Sequence, residues 1–233
     1  WGVDLTSTGF IVYGNNVLSS NDAIYMAIRR GPLATPTSAT DVFAIDNQTA
    51  SSAPFLTSNF PVDMVLRKDT AGGNSEIMSR LLEGKGLIAN SDGAEQSDSV
   101  AKFDFNDGCL DNTGTDTSRY GWMWKRAPGY FDVCCYSGTG SARTVPHNLG
   151  LHGAVPEMIW IKNRDASENW PVYHKGLNGG TNPEQYYIRL NQTNAEAASA
   201  DWWNNTAPTA SVFTVGTQGQ VNANGQAHIA FLF

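Results

Sequence analysis

The densest group of potential ligand atoms lies in an acidic turn at residues 104–116. It reads Asp-Phe-Asn-Asp-Gly-Cys-Leu-Asp-Asn-Thr-Gly-Thr-Asp, and Ca²⁺ binds about six to eight carboxylate and carbonyl oxygens. The spacing does not match an EF-hand loop, and the corresponding turn at residues 216–225 contains no acid. We therefore predict a solvated turn and no metal site. The weaker alternative is a Ca²⁺ site with the candidate ligands Asp104, Asp107, Asp111 and Asp116.

Aromatic residues offer a second chemistry, because sugar rings stack on exposed Trp and Tyr while polar side chains bond their hydroxyls. Trp202 and Trp203 are adjacent and follow a short helical stretch, so we expect one ring to face the protein interior and the other to be exposed to solvent. The alternative role for surface aromatics is a subunit interface, where Trp and Tyr are also enriched. The carbohydrate-binding candidates are Trp170, Tyr173, Trp202 and Trp203. The tryptophans on alternating strands, which we expect in the core, are Trp122, Trp124 and Trp160.

Catalytic signatures are missing from the sequence. It has no Walker loop, Gly-x-Ser-x-Gly elbow, His-Glu-x-x-His or Cys-x-x-Cys. His147 lies in a turn without a histidine counterpart in the first half, and His174 is expected to be a hydrogen-bonding residue at a sheet edge and not a general base. We predict a protein without enzymatic activity, catalytic residues or cofactor.

Composition narrows the class of protein further. Charged residues make up only 16% of the 233 residues, the net charge is −7, and Gly, Trp and Tyr are frequent. This mixture is typical of durable extracellular or particle-bound β proteins. The acidic balance and scattered basic residues exclude a duplex DNA partner. No apolar run approaches the roughly 20 residues that a bilayer requires, so we predict no membrane insertion.

The sequence repeats itself across a seam at residues 120–131, where an aromatic strand runs into two basic residues and a Pro-Gly joint. Arg-Arg-Gly-Pro at residues 29–32 returns as Lys-Arg-Ala-Pro at residues 125–128, displaced by 125 − 29 = 96 residues. Asp-Val-Phe-Ala at residues 41–44 matches Asp-Val-Cys-Cys at residues 132–135. Cys134 and Cys135 thereby fall on apolar positions of the first copy. We expect both to be buried thiols without a disulfide bond, facing opposite sides of a strand.

Alternating apolar runs separated by Asn-Gly and Asp-Gly turns predict antiparallel strands. The fold class is all-β: two tandem antiparallel β-sandwich repeats with six or seven strands each, short turns and at most one or two short helices. The one stretch with helix character is residues 191–203. The predicted units are residues 31–128 and 129–233, with one common strand order. Residues 1–30 are predicted to be the C-terminal hairpin of a truncated upstream repeat, equivalent to residues 213–233.

The second half resembles repeats of structural and tail-fibre proteins of tailed phages, of the kind found in phages of cyanobacteria and marine bacteria. The quoted segments are Val-Pro-His-Asn-Leu-Gly at 145–150, Pro-Glu-Met-Ile-Trp-Ile-Lys-Asn-Arg-Asp at 156–165, Trp-Pro-Val-Tyr-His-Lys-Gly-Leu at 170–177 and His-Ile-Ala-Phe-Leu-Phe at 228–233. The first half shows a looser likeness, and the resemblance supplies no catalytic residue.

The resemblance implies a non-enzymatic structural module of a phage tail fibre or similar host-facing appendage. Its location would be the virion, and it would act outside the cell. The implied partners are other copies of the chain, in a homotrimer by analogy with such fibres, other virion proteins, and host surface polysaccharide. Two alternatives from other classes stay open. They are a secreted carbohydrate-binding module and, less favoured, part of a polysaccharide depolymerase.

Overall fold

The computed structural model describes residues 2–5, 10–13, 34–82, 84–98, 101–110, 116–150 and 153–233. The regular secondary structure of these residues is almost entirely β, which confirms the predicted class. Strand β1 (Gly2–Leu5) pairs antiparallel with β2 (Phe10–Tyr13). Residues 14–33, which include the rest of the predicted upstream hairpin, lie outside the described residues.

The first unit contains eight described strands, more than the six or seven predicted. They are β3 (Phe43–Asp46), β4 (Leu56–Thr57), β5 (Met64–Asp69), β6 (Ser75–Ser79), β7 (Lys85–Ile88), β8 (Gln96–Ser97), β9 (Gly108–Cys109) and β10 (Arg119–Trp124). Six of them form one antiparallel sheet in the order β3-β10-β5-β6-β7-β8, called the first sheet below. The other two, β4 and β9, form a separate pair that packs over it.

The described residues of the second unit also form eight strands. They are β11 (Asp132–Ser137), β12 (Arg143–Pro146), β13 (Met158–Asn163), β14 (Pro171–His174), β15 (Tyr186–Arg189), β16 (Ala197–Ala198), β17 (Val212–Val215) and β18 (Ala227–Leu232). The second sheet has the order β11-β18-β13-β14-β15-β16, with β12 and β17 as the separate pair. Each position therefore matches the first unit, which confirms the predicted common strand order.

Helices are short, as predicted. The α-helices are α1 (Ala200–Trp203) and α2 (Gly219–Asn222), and three 3₁₀ turns lie at Ala39–Asp41, Leu177–Gly180 and Pro183–Gln185. Within the stretch with helix character, Ala197 and Ala198 instead form edge strand β16, because pairing with β15 outweighs their helix propensity. The helix begins only after Ser199, whose hydroxyl accepts a hydrogen bond from the backbone N–H of Asp201.

The strand pairing fixes which residues of the two units correspond. Aligning Met64 with Met158, the first residues of β5 and β13, makes the cross-strand ring pair Phe43–Trp124 equivalent to Phe131–Phe233. The ring centroids of these pairs are 5.1 Å and 5.2 Å apart. The two units therefore share register as well as strand order.

Two details of the predicted repeat are wrong. Phe43 corresponds to Phe131 and not to Cys134, an offset of 134 − 131 = 3 residues. Residues 213–233 do not fold as a hairpin, because β17 pairs with β12 while β18 lies in the centre of the second sheet. The prediction for the two cysteines themselves holds. Cys134 and Cys135 are buried, lie outside any disulfide, and face different apolar clusters.

Each six-stranded sheet has two apolar faces. Its core face packs against the strand pair of its own unit, and its junction face points toward the other unit. The core-face cluster of the first unit includes Val65, Met78 and Met123, and that of the second includes Ile159 and Leu232. The junction faces meet in a third cluster drawn from both units. From residue 34 onward, the described residues therefore form four β layers joined by three apolar cores.

Polar contacts reinforce the junction between the units. The indole N–H of Trp170 donates to the carbonyls of Ile88 and Ser91 at 3.0 and 3.1 Å. Arg164 forms an ion pair with Glu95 at 2.6 Å, and the backbone N–H of Glu95 donates to the Arg164 carbonyl. These bonds hold the loop after β7 against the second unit, so the two sandwiches are fixed to one another by both apolar and polar contacts.

The seam is a tight turn between β10 and β11. Ala127 bridges to Phe131, and Gly129 adopts a left-handed φ of 73°, which favours glycine. The backbone N–H of Arg126 donates to the Asp63 carboxylate at 2.7 Å, and its guanidinium contacts Asp132 at 2.6 Å. Both carboxylates are buried. Arg126 therefore bonds a residue of each unit at the point where the chain passes from one to the other.

Candidate functional site

The structure buries all four aromatic residues predicted to bind carbohydrate, so the prediction of a stacking site on their rings is wrong. Their exposed fractions are 0% for Trp170, 4% for Tyr173, and 2% for each of Trp202 and Trp203. Helix α1 lies between β15 and β17, which places both of its tryptophans in the core instead of leaving one ring free. Tyr173, Trp202 and Trp203 come together there, whereas Trp170 lies apart at the junction.

The acidic turn does not assemble a ligand set from the residues that the structure describes. Asp111 lies outside them, while Asp104 and Asp107 are exposed. Asp116 forms an ion pair with Arg119 at 3.0 Å and accepts hydrogen bonds from Ser118. In the described parts of the chain, no group of three or more His, Cys, Asp or Glu side chains could hold a metal ion. The turn therefore offers the Ca²⁺ alternative no support.

The candidate site is a polar cleft on the core face of β6, β7 and β8 in the first unit, called the β6–β8 cleft below. It has a volume of about 250 Å³. Two carboxylates, two amides and a hydroxyl line it, together with residues of β7, and none of the described lining residues is aromatic. The lining residues are Asn74, Glu76, Gly86, Leu87, Ile88, Gln96, Ser97 and Asp98.

A single glycine explains why the cleft is open. Gly86 corresponds to Tyr187 of the second unit, since Gly86 pairs with Met78 and Tyr187 is the neighbour of Tyr173 in the same register. The Tyr187 ring stacks on Trp202 with centroids 4.1 Å apart and fills this space in the second unit. A Cβ on Gly86 would meet no atom closer than 3.7 Å. The two units thus place a filled core and an open cleft at equivalent positions.

The charges of the cleft are held in place by neighbouring groups. Glu76 forms an ion pair with Arg67 across the β5–β6 ladder. Asp98 accepts a hydrogen bond from the backbone N–H of Ala101 at 3.1 Å, and its own N–H donates to the Gly84 carbonyl. Fixed carboxylates beside amides and a hydroxyl can bind a ligand with many hydroxyl donors, such as a saccharide, without ring stacking.

Two of the described histidines, His147 and His228, are buried. Burial lowers the pKa of His147, whose Nδ1 accepts from the Leu149 N–H while Nε2 faces the Thr209 carbonyl at 3.1 Å. Burial also lowers the pKa of His228, which stacks on Tyr136. His174, the other histidine considered for catalysis, is exposed, and its Nδ1 accepts from the Gly176 N–H. These contacts give the described histidines hydrogen-bonding roles.

Lys162 is the least expected of the buried groups. It lies on the junction face of β13 with an exposed fraction of 0%, and burial lowers its pKa to about 8, although Glu168 and Asp92 act in the opposite direction. Its ammonium donates to the carbonyls of Asn163 and Ala166 at 2.7 and 3.1 Å. A buried lysine bonded to backbone carbonyls is a structural group of the junction.

Sequence reasoning missed every residue of the cleft. The useful signal was Gly86, but it becomes visible only when β7 is aligned with β15. The ladders make Ile88 the counterpart of Arg189, and Gly86 therefore that of Tyr187. This alignment makes Gly86 of the first unit equivalent to Tyr187 of the second, and so predicts an unfilled space in the first unit at the position of the tyrosine ring.

One protein family matches residues 42–233, and its description is Domain of unknown function (DUF7483). Neither a curated protein nor a solved structure matches the chain. In the described residues, no helix has the length and apolar character needed to cross a membrane. The family match runs from the end of the 3₁₀ turn before β3 to the last residue of the chain, so it takes in both sandwich units and the seam between them. Because that region is most of the chain, the protein belongs to the DUF7483 family.

Proposed function

We propose that the chain is a non-enzymatic structural module of a phage tail fibre or a similar host-facing appendage. It acts as a rigid spacer on the virion, outside the cell, and contacts other copies of itself and other virion proteins. A homotrimer is the assembly expected from the resemblance to tail-fibre repeats. Host surface polysaccharide is the ligand proposed for the β6–β8 cleft.

One observation carries the spacer role: two copies of one unit share a continuous apolar core. Phe131, Val133 and Phe231 of the second unit are buried against Met64 and Ile77 of the first. Such a junction resists bending, because separating the sheets would expose these side chains to water. Repeat proteins in which each unit is stabilised by its neighbour form extended, stiff bodies. An appendage that must hold a receptor-binding surface away from the particle requires such stiffness.

The cleft supports the glycan part of the proposal and also favours the second candidate, a secreted carbohydrate-binding module. Both functions require the same saccharide chemistry and differ in location. The third alternative, a depolymerase, would use the carboxylates of Glu76 and Asp98, which line the same cleft. Glu76 is already ion-paired with Arg67, which disfavours it as a general acid.

Titration of the protein with a panel of bacterial surface polysaccharides by calorimetry tests the glycan contact. Gly86→Tyr should abolish binding, because the new ring fills the cleft as Tyr187 fills the second unit. Glu76→Gln should weaken binding, while Glu157→Gln, at an exposed carboxylate paired with Lys175, should leave it unchanged. Binding that survives Gly86→Tyr would remove the cleft from the proposal. Release of reducing ends on long incubation would favour the depolymerase instead.

Location and assembly need separate tests. Antibodies against the chain should label a tail appendage on virions viewed by electron microscopy, and the same label on virion-free culture medium would favour a secreted module. The mass in solution, measured by light scattering, should correspond to three chains of 25.2 kDa. A different closed assembly would replace the trimer without affecting the spacer role.

A further inference from the structure

An apolar strip on the junction face of the first sheet extends beyond the part that contacts the second unit. It runs across β3 and β10, where Ile45 pairs with Trp122. Ile45 is 55% exposed and Tyr120 is 37% exposed, while Phe43 and Trp122 are half-buried. We call this surface the outer strip, and its residues are Phe43, Ile45, Trp122 and Tyr120.

The equivalent positions of the second unit are the ones that bury it against the first. By the strand register, Phe131 and Val133 correspond to Phe43 and Ile45, while Phe231 and Ile229 correspond to Trp122 and Tyr120. Each of the four is at most 1% exposed and belongs to the junction cluster. The outer strip therefore occupies the docking positions of this fold, and in the first unit these positions are exposed or half-buried.

The junction also shows which surface of a unit a docking strip contacts. In the first unit it comprises Met64, Ile77, Leu87 and Ala89. Their counterparts in the second unit are Met158, Val172, Ile188 and Leu190. Met158 and Ile188 are half-buried, and Leu190 is 38% exposed. We call this set the receiving face. The chain thus has an open docking strip on one unit and a partly open receiving face on the other.

We propose that a second copy of this chain docks on the outer strip through the receiving face of its second unit, repeating the contact that already joins the two units. The association is heterologous, because the strip of one copy meets a different surface of the next. Such contacts close into rings or extend into filaments, according to the rotation per step. The inference rests on the self-association in the proposed function and names its surface.

Sedimentation velocity of the purified chain over the micromolar range tests this proposal, with three charge-introducing variants. Ile45→Asp places a charge in the outer strip, and Leu190→Asp places one in the receiving face. Thr144→Asp is the matched control at an exposed position of β12. The unaltered chain and the control should associate equally. Each of the first two variants should raise the apparent dissociation constant by about tenfold or more, because the contact would desolvate a carboxylate. Circular dichroism checks that all variants fold.

Mixing the two defective variants gives the decisive result. Each retains one intact half of the contact, so an equimolar mixture should form dimers and nothing larger. Restored dimers with no higher species support a heterologous strip-to-face contact. Association that Ile45→Asp leaves unchanged overturns the proposal but leaves self-association through another surface. A chain that stays at 25.2 kDa at every concentration overturns both.

Discussion

Trp170 is the side chain through which the two units depend on one another most directly. Its ring is buried in the junction cluster, with centroids 6.4 Å from Phe231. Its N–H bonds two carbonyls of the first unit. The ring therefore contributes apolar burial and satisfies backbone groups of the partner unit at the same time.

Replacing this ring tests the junction. Trp170→Ala should lower the free energy of unfolding by about 3–5 kcal/mol, through the cavity it leaves and the unsatisfied carbonyls. Urea denaturation followed by circular dichroism measures the change. Val155→Ala, at a side chain that is 46% exposed and outside the three apolar clusters, is the control and should shift stability by no more than about 1 kcal/mol. Equal effects of the two changes would contradict the junction role.

Lys162 makes stability depend on pH in the alkaline range. Its folded pKa is about 8 against an ordinary value of 10.5, so the unfolded chain binds more protons than the folded protein between these values. Stability attributable to this residue must therefore rise with pH across that window. Relative to Lys162→Met, the unaltered protein should gain about 1–3 kcal/mol from pH 8 to pH 10.5. Denaturant midpoints of both proteins, measured at each pH, provide the test. A constant difference would show that Lys162 titrates normally.

At the scale of elements, the seam shows how a short turn fixes two sandwiches. Asp132, at the start of β11, is 2% exposed and accepts from Arg126 and from the backbone N–H of Asn148 at 2.7 Å. A buried carboxylate with these partners is costly to alter, because its loss leaves donors unsatisfied.

Asp132→Ala should therefore destabilise the protein by about 2–4 kcal/mol. Its comparison is Glu157→Ala, which removes the exposed ion pair with Lys175 and should cost less than about 1 kcal/mol. Thermal unfolding monitored by circular dichroism distinguishes the two. A loss of similar size in both variants would mean that the seam network contributes no more than a surface pair.

Much of this element arrangement could be predicted from sequence, since alternation and turn residues report locally on strands. The seam motif indicates the repeat, and the repeat predicts that the two units share one strand order. The register could not be predicted, because a four-residue strand such as β3 carries too little pattern to fix its alignment with β11. The same weakness hid the counterpart of β7 and with it Gly86.

The residues of the candidate site could not be predicted from the sequence for a related reason. Trp and Tyr are suited to both sugar stacking and cores, and composition does not distinguish them. Tyr173, Trp202 and Trp203 are buried in the core of the second unit, and Trp170 is buried in the junction between the units, so their burial is a tertiary property. The cleft depends on an absent side chain, and an isolated glycine in a strand gives only a weak signal.

For the whole molecule, the shared junction predicts that the two units unfold together. Separating them would expose Phe131, Val133 and Phe231 to water, so each unit would be less stable without the other. Scanning calorimetry should show one transition whose calorimetric and van't Hoff enthalpies agree. Ile77→Asp, in the first unit, should lower the melting temperature of the entire molecule. Two resolved transitions, of which this change moves only one, would be the contrary result.

The three cysteines are distributed so that each apolar core contains one. Cys109 lies in the core of the first unit, Cys134 in that of the second, and Cys135 in the junction. The rate at which a thiol reagent modifies each cysteine of the native protein therefore reports on the opening of a different core. Fast modification of Cys135 alone would record the two units parting while each stays intact, and equal rates at all three would record global opening. The chain thus carries its own position-resolved probe of unfolding, with no label to introduce.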